Sequence, residues 1–309
     1  MFTPKAFSFL FCALSLCFFF PLSASAFVEG QVHEVFITLD KAESLIAEGA
    51  TILDAREPGD FRRARHPQAA NLPWSLLVDR EGSGRLTDNE RRLTATLRGV
   101  GVSNDRPVII YGNWGASHSW GEEGRLYWTL DYLGHSSVYI LAGGIDALRE
   151  AGHTQRSGFG LGQLPSQAEP LAERPGNFQI RRREDRRIST AALRRTYAEE
   201  NLVLIDTREA VEFGGEVKYG EARGGHIPGA VHLWWADLFS NGEALSAASL
   251  QRKLRAKGIS PGQKIVAYCT GGIRSGFVYA VLRSQGYTHI ANYDASMWEW
   301  TEDPEAPLQ

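Results

Sequence analysis

The two halves of this chain repeat one another, and this repeat restricts the folds that the chain can adopt. Residues 51–57 read TILDARE and residues 203–209 read VLIDTRE, so that an apolar run ends in Asp-x-Arg-Glu in both halves. Two further pairs of segments correspond in the same order, residues 67–72 with 228–233 and residues 108–111 with 265–268. A unit that recurs in one order along a chain predicts two copies of one domain.

Each copy alternates short apolar runs with helical patterns. Such alternation predicts parallel strands in a sheet that helices cover on both faces. We therefore predict an α/β protein with two tandem domains of one fold, over residues 33–152 and 181–305. The segment between them, residues 153–180, is the predicted linker, because residues 152–176 are rich in Gly, Pro, Ser and Gln without periodicity.

The first residues of the chain have the pattern of a targeting segment rather than of a domain. Lys5 supplies a positive start, residues 7–22 are densely apolar, and Ala24-Ser25-Ala26 is a small-residue cleavage site. A transmembrane helix needs about 20 apolar residues, and Pro21 ends this run too early. We expect residues 1–26 to be a signal peptide, and the mature protein to be periplasmic or secreted with no stable membrane insertion.

Only one cysteine is expected to survive that cleavage. Cys12 and Cys17 lie inside the targeting segment, which leaves Cys269 alone in the mature chain. A lone thiol cannot form an internal disulfide in an oxidising compartment. A catalytic role is therefore the best explanation for a single cysteine in an exported protein.

The overall charge argues against one class of partner. The chain has 33 basic and 36 acidic residues, which gives a net charge of −3 at pH 7. Nucleic-acid-binding domains carry a basic surface, so we expect no nucleic-acid partner. The arginines within residues 181–187 are a local exception, and we expect them to form a solvated face beside Glu184 and Asp185.

Cys269 lies at the start of a predicted tight loop between a buried strand and a helix. The apolar residues 265–268 precede it, and the apolar residues 277–282 follow. The adjacent Gly271 and Gly272 let the backbone curl so that N–H groups point at the sulfur, and the helix dipole favours a thiolate. Such a loop predicts a nucleophile, and the alternative is a buried structural cysteine.

The repeat fails at this loop. Alignment of Tyr111 with Tyr268 places Gly112 opposite Cys269, and residues 112–120 form a longer loop than its counterpart. The amino-terminal half is therefore predicted to be non-catalytic, and to form one wall of a cleft.

Four segments resemble the rhodanese family of sulfurtransferases, specifically its two-domain exported members. They are residues 206–209, residues 223–230, the Cys269 loop and residues 293–300. In the last of these, Ala295 stands in place of a usual glycine and Met297 in place of a usual tryptophan. The resemblance covers nearly the whole mature chain and implies two tandem rhodanese-like domains.

The family resemblance implies a ping-pong reaction. Cys269 attacks the outer sulfur of a small anionic donor, becomes a persulfide, and passes that sulfur to a thiophilic acceptor such as cyanide or a thiol. No metal and no organic cofactor is implied. The chemistry itself needs a low-pKa thiolate, a pocket for the terminal sulfur, and cations that attract the donor.

These requirements assign roles to residues of the loop. Cys269 is the predicted nucleophile, and Arg274 and Arg223 are the predicted cations. The residues predicted to hold the persulfide and the substrate are Thr270, Gly271, Gly272, Ile273, Arg274 and Ser275. Arg274 could equally close the loop through a salt bridge, and Thr270 and Ser275 could each cap the helix. For Arg223 the alternative is a solvated loop arginine, and only the family resemblance favours a role in substrate binding.

Asp206 and Arg208 are predicted to be structural. An acid-base role is conceivable, yet the same pair recurs as Asp54 and Arg56 in the half that has no thiol. We expect strand-end ion pairs or hydrogen bonds that fix the neighbouring loops.

Two other functions fit part of this pattern. Cysteine-dependent phosphatases also place an arginine after the nucleophile, but four residues separate Cys269 from Arg274 and phosphatase loops have one more. The other is a persulfide carrier or binding module that docks to a protein partner.

The identity of the donor is inferred from charge. Mercaptopyruvate-specific relatives usually carry a Cys-Gly-Ser-Gly-Val-Thr loop, whereas Arg274 adds a positive charge to the loop of this chain. A dianion such as thiosulfate gains more from that charge than a monoanionic keto acid does. We therefore expect thiosulfate rather than 3-mercaptopyruvate.

Overall fold

The computed structural model describes residues 1, 34–115, 119–156, 175–240 and 243–309. Apart from Met1, the predicted signal peptide lies outside the described residues, so export stays a prediction. Within the described ranges, no helix has the length and apolar character that a membrane span needs.

The amino-terminal domain is a five-stranded parallel sheet with helices packed around it. Its strands are β1 (Phe36–Ile37), β2 (Thr51–Asp54), β3 (Ala70–Asn71), β4 (Val108–Tyr111) and β5 (Val138–Leu141), in the order β1-β5-β4-β2-β3. Its helices are α1 (Leu39–Ala47), α2 (Pro58–Arg63), α3 (Glu90–Gly99), α4 (Glu122–Tyr132) and α5 (Gly144–Glu150). Every residue of β4 is buried, as expected of a parallel strand that is covered on both faces.

The carboxy-terminal domain has the same plan with four parallel strands. They are β6 (Leu202–Asp206), β7 (Val231–His232), β10 (Lys264–Tyr268) and β11 (Ile290–Asn292), in the order β11-β10-β6-β7. Between β7 and β10, β8 (Phe239–Ser240) and β9 (Glu243–Ala244) form a separate antiparallel ribbon. Its helices are α6 (Thr190–Thr196), α7 (Ala210–Phe213), α8 (Ala247–Ala256), α9 (Ile273–Ser284) and α10 (Ser296–Trp300). The predicted α/β class with two tandem domains of one fold is confirmed.

Local sequence signals set the ends and the buried faces of several helices. Thr38, Asn89 and Ser246 each precede a helix, and their side chains accept a hydrogen bond from a backbone N–H three residues on. In α8, Leu250 and Leu254 lie one turn apart and are both buried.

The central strands have the same register in both domains. β2 pairs with β4 so that Asp54 lies beside Tyr111, and β6 pairs with β10 so that Asp206 lies beside Tyr268. Because the carboxyl ends of parallel strands meet at one edge of a sheet, the loop after Tyr268 lies next to the Asp-x-Arg-Glu segment.

Helices α4 and α9 pack the two domains against each other. The backbones approach closely at Gly124 of α4 and Gly276 of α9. A Cβ at Gly124 would lie 2.3 Å from the Cα of Phe277, and one at Gly276 would lie 2.7 Å from the Cα of Arg125. Neither distance leaves room for a side chain, so glycine is needed at both positions. The helix that follows Cys269 therefore rests on a helix of the amino-terminal domain.

The expectation of a solvated face for the arginines of residues 181–187 is wrong for Arg187. Its Nη1 donates to Asp88 at 2.9 Å in the amino-terminal domain, and its Nε donates to Asp294 at 3.0 Å in its own domain. The Arg187 side chain is only 13 % exposed. Arg183 also reaches across, to the carboxylate of Asp131 in α4. These arginines fix the second domain against the first.

Candidate active site

Cys269 lies in a tight loop between β10 and α9. Its side chain is 1 % exposed, and the backbone N–H of Gly272 donates to Sγ at 3.0 Å. Gly272 has a φ of 78°, which strongly favours glycine. A Cβ at Gly271 would lie 2.1 Å from Cζ3 of Trp298, so that neighbouring ring excludes any larger residue there. The two glycines thus allow the loop to close around the sulfur.

Two serines complete the surroundings of the cysteine. The Ser275 hydroxyl lies 3.8 Å from Sγ and donates to Oδ1 of Asn292 at 2.7 Å. Ser296 Oγ accepts the backbone N–H of Cys269 at 3.0 Å and donates to the carbonyl oxygen of Tyr293 at 2.6 Å. Ser296 has a φ of 53°, an uncommon conformation for a residue with a side chain, and here it is held by these two hydrogen bonds.

The loop favours the thiolate over the thiol. Burial alone would raise the pKa of Cys269, but the positive charge of Arg274 and the hydrogen bond from the backbone N–H of Ser275 help to outweigh burial, and that pKa is lowered. A lowered pKa is what a nucleophilic cysteine needs.

Arg274 forms a salt bridge within the protein, which is one of the two roles that the sequence analysis considered for it. Its Nη1 and Nη2 donate to the two carboxylate oxygens of Glu212 at 2.6 and 2.8 Å. Both side chains are buried, and the paired arginine lowers the pKa of Glu212 although burial acts in the opposite direction. The positive charge of Arg274 is therefore largely balanced within the protein.

Thr270 belongs to the same buried network rather than to a helix cap. Its hydroxyl accepts from Nη2 of Arg274 at 2.6 Å and lies 2.8 Å from Glu212 and 3.0 Å from Glu221. The hydroxyl has one proton, so it donates to one of these two carboxylates at a time. The network fixes the side of the loop that faces the pocket.

The guanidinium of Arg223 bonds to backbone carbonyl oxygens, and not to a group at the pocket as the role inferred from the family resemblance would require. Its Nε donates to the carbonyl oxygen of Thr301 at 3.2 Å, and its Nη2 donates to those of Asp303 and Ala306 at 2.5 and 3.0 Å. These carbonyl oxygens lie in the carboxy-terminal tail. Arg223 therefore anchors that tail, and it is not among the residues that line the pocket at Cys269.

The pocket above Cys269 has a volume of about 200 Å³ and aromatic walls from both domains. Trp74 and Trp120 come from the amino-terminal domain, and Tyr219 and Trp298 from the carboxy-terminal domain. Trp120 and Tyr219 meet edge to face with ring centroids 5.3 Å apart. The floor and remaining lining are formed by Cys269, Thr270, Gly271, Ile273 and Arg274. The amino-terminal half does form one wall of a cleft.

The matching loop of the amino-terminal domain holds a carboxyl group where its counterpart holds the thiol. A Cβ at Gly112 would lie only 2.2 Å from Oε2 of Glu123. Glu123 is 1 % exposed, and within the described structure neither carboxylate oxygen has a hydrogen-bond partner. Burial, together with the nearby charge of Glu122, raises the pKa of Glu123 to about 8. A largely protonated carboxyl group therefore occupies this space at neutral pH.

A cysteine at Gly112 should not create a second active site. We expect Gly112→Cys, in a Cys269→Ser background, to show no sulfur transfer above that background, because Glu123 fills the space and adds no positive charge. Turnover can be followed as thiocyanate formed from thiosulfate and cyanide. Measurable turnover by the double variant would show that this loop can support a thiolate.

Asp206 and Arg208 form a buried ion pair at the end of β6. Arg208 Nη2 donates to Asp206 at 2.7 Å and to the carbonyl oxygen of Gly225 at 2.8 Å. Arg56 Nη2 makes the same contacts in the other domain, to Asp54 at 2.6 Å and to the carbonyl oxygen of Ala64 at 2.6 Å. Identical geometry in the domain without a thiol favours the structural role.

Several residues of the site were missed by sequence reasoning. Trp74, Trp120 and Arg125 come from the other domain, and no local pattern marks them as neighbours of Cys269. Glu212 did carry a signal, since its spacing from Glu209 is that of a capping box, which the structure contains. That signal predicts a helix start and does not reveal the ion pair with Arg274. In the described ranges, no group of three or more His, Cys, Asp or Glu residues could hold a metal ion.

A model of the rhodanese-like domain matches this chain twice, over residues 38–151 and 189–303. The thiosulfate sulfurtransferase of Azotobacter vinelandii is 30 % identical over 81 % of this chain and 89 % of its own length. The probable 3-mercaptopyruvate sulfurtransferase of Pseudomonas aeruginosa is also 30 % identical, over 70 % of this chain and 72 % of its own length. The crystal structure of SseA from Escherichia coli shares the fold, with a TM-score of 0.69 and 22 % identity over 85 % of this chain and 99 % of that one.

Proposed function

This chain belongs to the rhodanese-like family, and from that premise we propose that it moves the outer sulfur of thiosulfate to a thiophilic acceptor through a persulfide on Cys269. At the coarser level it is a sulfurtransferase of the thiosulfate/3-mercaptopyruvate type. The single observation that carries the persulfide proposal is the position of Sγ, which lies at the base of a pocket and 3.0 Å from the backbone nitrogen of Gly272.

The first half-reaction charges the cysteine. The Cys269 thiolate attacks the outer sulfur of thiosulfate, a bond forms between the two sulfurs, and the bond to the sulfonate sulfur breaks. Sulfite leaves with the bonding electron pair, and the terminal sulfur of the persulfide carries the negative charge. In this proposal the loop N–H groups stabilise this charge, and the one that supports this is the N–H of Gly272, which already donates to Sγ of Cys269.

The second half-reaction returns the thiolate. Cyanide or a thiol attacks the terminal sulfur of the persulfide, and the sulfur–sulfur bond breaks with its electron pair staying on Cys269. The acceptor leaves as thiocyanate or as a persulfide of the thiol. No net oxidation of the protein occurs over the cycle, so no outside oxidant or reductant is needed.

The sequence analysis inferred the donor from the positive charges of the site, but the contacts of the two arginines weaken that argument. Arg274 is balanced by Glu212, and Arg223 bonds to the carboxy-terminal tail. The proposal of thiosulfate rests instead on similarity, because the match to the thiosulfate sulfurtransferase covers more of both chains than the match to the mercaptopyruvate enzyme at equal identity.

A comparison of the two donors tests the assignment. We expect kcat/KM with cyanide as acceptor to be about tenfold or more higher for thiosulfate than for 3-mercaptopyruvate, a difference of about 1.4 kcal/mol in transition-state free energy. Steady-state assays with both donors measure it. A preference for mercaptopyruvate would reverse the assignment, and slow turnover with both donors together with a stable protein complex would favour a persulfide carrier.

A further inference from the structure

Arg125 reaches the active-site loop from the non-catalytic domain. It follows Gly124 in α4, at the point where α4 lies in backbone contact with α9. Its side chain is 1 % exposed, although arginine is among the residue types least often buried. None of the roles described above uses it.

The guanidinium of Arg125 is bonded to backbone carbonyl oxygens of two loops. Its Nη1 donates to the carbonyl oxygen of Gly272 at 3.1 Å and lies 3.5 Å from that of Gly271. Its Nη2 donates to the carbonyl oxygen of Gly84 in the amino-terminal domain. The guanidinium carbon lies 4.7 Å from the centre of the Trp128 ring, which supports it from the side. These contacts fix both the position and the direction of the group.

Arg125 keeps its charge in spite of burial. Burial lowers its pKa to about 10, against the raising effects of Asp294 and Cys269, so the group is protonated at neutral pH. A buried cation is costly unless it is well bonded, and here its partners are the oxygens of the loop that holds the sulfur.

One peptide unit links this cation to the sulfur. The carbonyl oxygen of Gly271 faces Nη1 of Arg125, and the N–H of Gly272, at the other end of the same peptide, donates to Sγ of Cys269 at 3.0 Å. A positive charge at the oxygen end polarises the peptide and makes its N–H a stronger donor. This effect is larger in a site from which water is excluded.

We propose that Arg125 is a positioning residue that holds the Gly271–Gly272 peptide with its N–H directed at the sulfur of Cys269. The non-catalytic domain thereby supplies part of the stabilisation of the thiolate and, on the function proposed above, of the persulfide. Among the described residues, Arg274, Glu212 and Glu221 of the catalytic domain are charged groups bonded around Thr270, and Asp294 and Arg187 act on the charge of Arg125.

The pH dependence of alkylation tests this role. Iodoacetamide reacts with the Cys269 thiolate, so its rate follows the ionised fraction. We expect Arg125→Met to slow alkylation at pH 7 about tenfold and to move the midpoint of the profile to higher pH. Arg125→Lys keeps a charge without the planar group and should slow alkylation less. Arg183→Met is the matched control, because it removes another interdomain arginine, one that is bonded to Asp131.

The alkylation profiles of these variants decide whether Arg125 acts on the thiolate of Cys269. An Arg125→Met protein with the wild-type profile overturns the proposal, and so does an Arg183→Met protein that shifts as much, because a loosened interface would then suffice. If Arg125→Met does not fold, Arg125→Lys decides, since an unchanged profile in that variant also overturns the proposal. The assay uses no sulfur donor, so a wild-type protein that forms no persulfide would end the proposed function without touching this inference.

Discussion

Replacement of Cys269 by serine should abolish sulfur transfer. A serine hydroxyl cannot form a persulfide, and it is not ionised in the cradle that lowers the pKa of the thiol. We expect kcat/KM for thiosulfate and cyanide to fall by at least about 10⁴-fold, the scale on which the loss of a covalent nucleophile is felt. Thiocyanate formation measures the loss of activity directly.

Mass spectrometry gives an independent measure of the same prediction. After treatment with thiosulfate, the wild-type protein should gain the mass of one sulfur atom on the peptide that contains Cys269, and cyanide should remove it. The serine variant should show neither change while keeping the wild-type circular dichroism spectrum, since the two side chains are nearly isosteric. Retained transfer by this variant would disprove the central role of Cys269.

Replacement of Arg274 by methionine should destabilise the protein as well as raise the pKa of the thiol. The change leaves the carboxylate of Glu212 buried without its partner, and breaking a buried pair in this way costs about 3–5 kcal/mol of unfolding free energy. It also removes the charge that lowers the pKa of Cys269. Urea unfolding measures the first effect, and the pH profile of alkylation measures the second.

The pH dependence of stability gives the sign of the Glu212 contribution. In the wild type the pKa of Glu212 is lowered, so its contribution is present above the ordinary value of 4.5 and is lost as the pH falls through the folded-state value. Without Arg274, burial is opposed only by hydrogen bonds such as those from Thr270 and the backbone N–H of Glu209, so the pKa of Glu212 rises and acidification relieves a penalty. The difference in stability between the two proteins should therefore be largest at neutral pH and shrink in acid.

Arg56→Met is the matched control for Arg274→Met. It breaks an equally buried pair, with Asp54, in the domain that has no thiol. We expect a comparable loss of stability, with the alkylation profile of Cys269 unchanged. An alkylation profile that shifts equally in both variants would show that loss of stability, and not loss of the local charge, affects the thiol.

The parts of the site that the sequence predicts are those formed by neighbours along the chain. The Asp-x-Arg-Glu repeat predicts both sheets because strand, loop and helix follow one another within each copy. The loop from Cys269 to Ser275 is predictable for the same reason, since the glycines that shape it and the cysteine that it surrounds are adjacent in sequence.

Other parts depend on which distant groups come together. The Arg-Gly-Gly-His segment shows that Arg223 is in a turn but not where its guanidinium points, and carbonyl oxygens about 80 residues later bind it. Trp120 and Arg125 meet the Cys269 loop only because α4 and α9 pack closely at two glycines. A single sequence carries no pattern for that crossing, because a glycine within a helical pattern does not reveal whether another helix packs against it, or which one.

The close crossing of α4 and α9 also bears on how such a chain can evolve. A copy of a domain that has lost its nucleophile is ordinarily free to drift, to shrink or to be deleted. Here Gly124 is in contact with the backbone of Phe277, and the next residue of the same helix bonds to the loop around Cys269. On the function proposed above, selection on the chemistry of one copy therefore acts directly on the backbone of the other, so the copy without a thiol cannot change independently of the copy that carries Cys269.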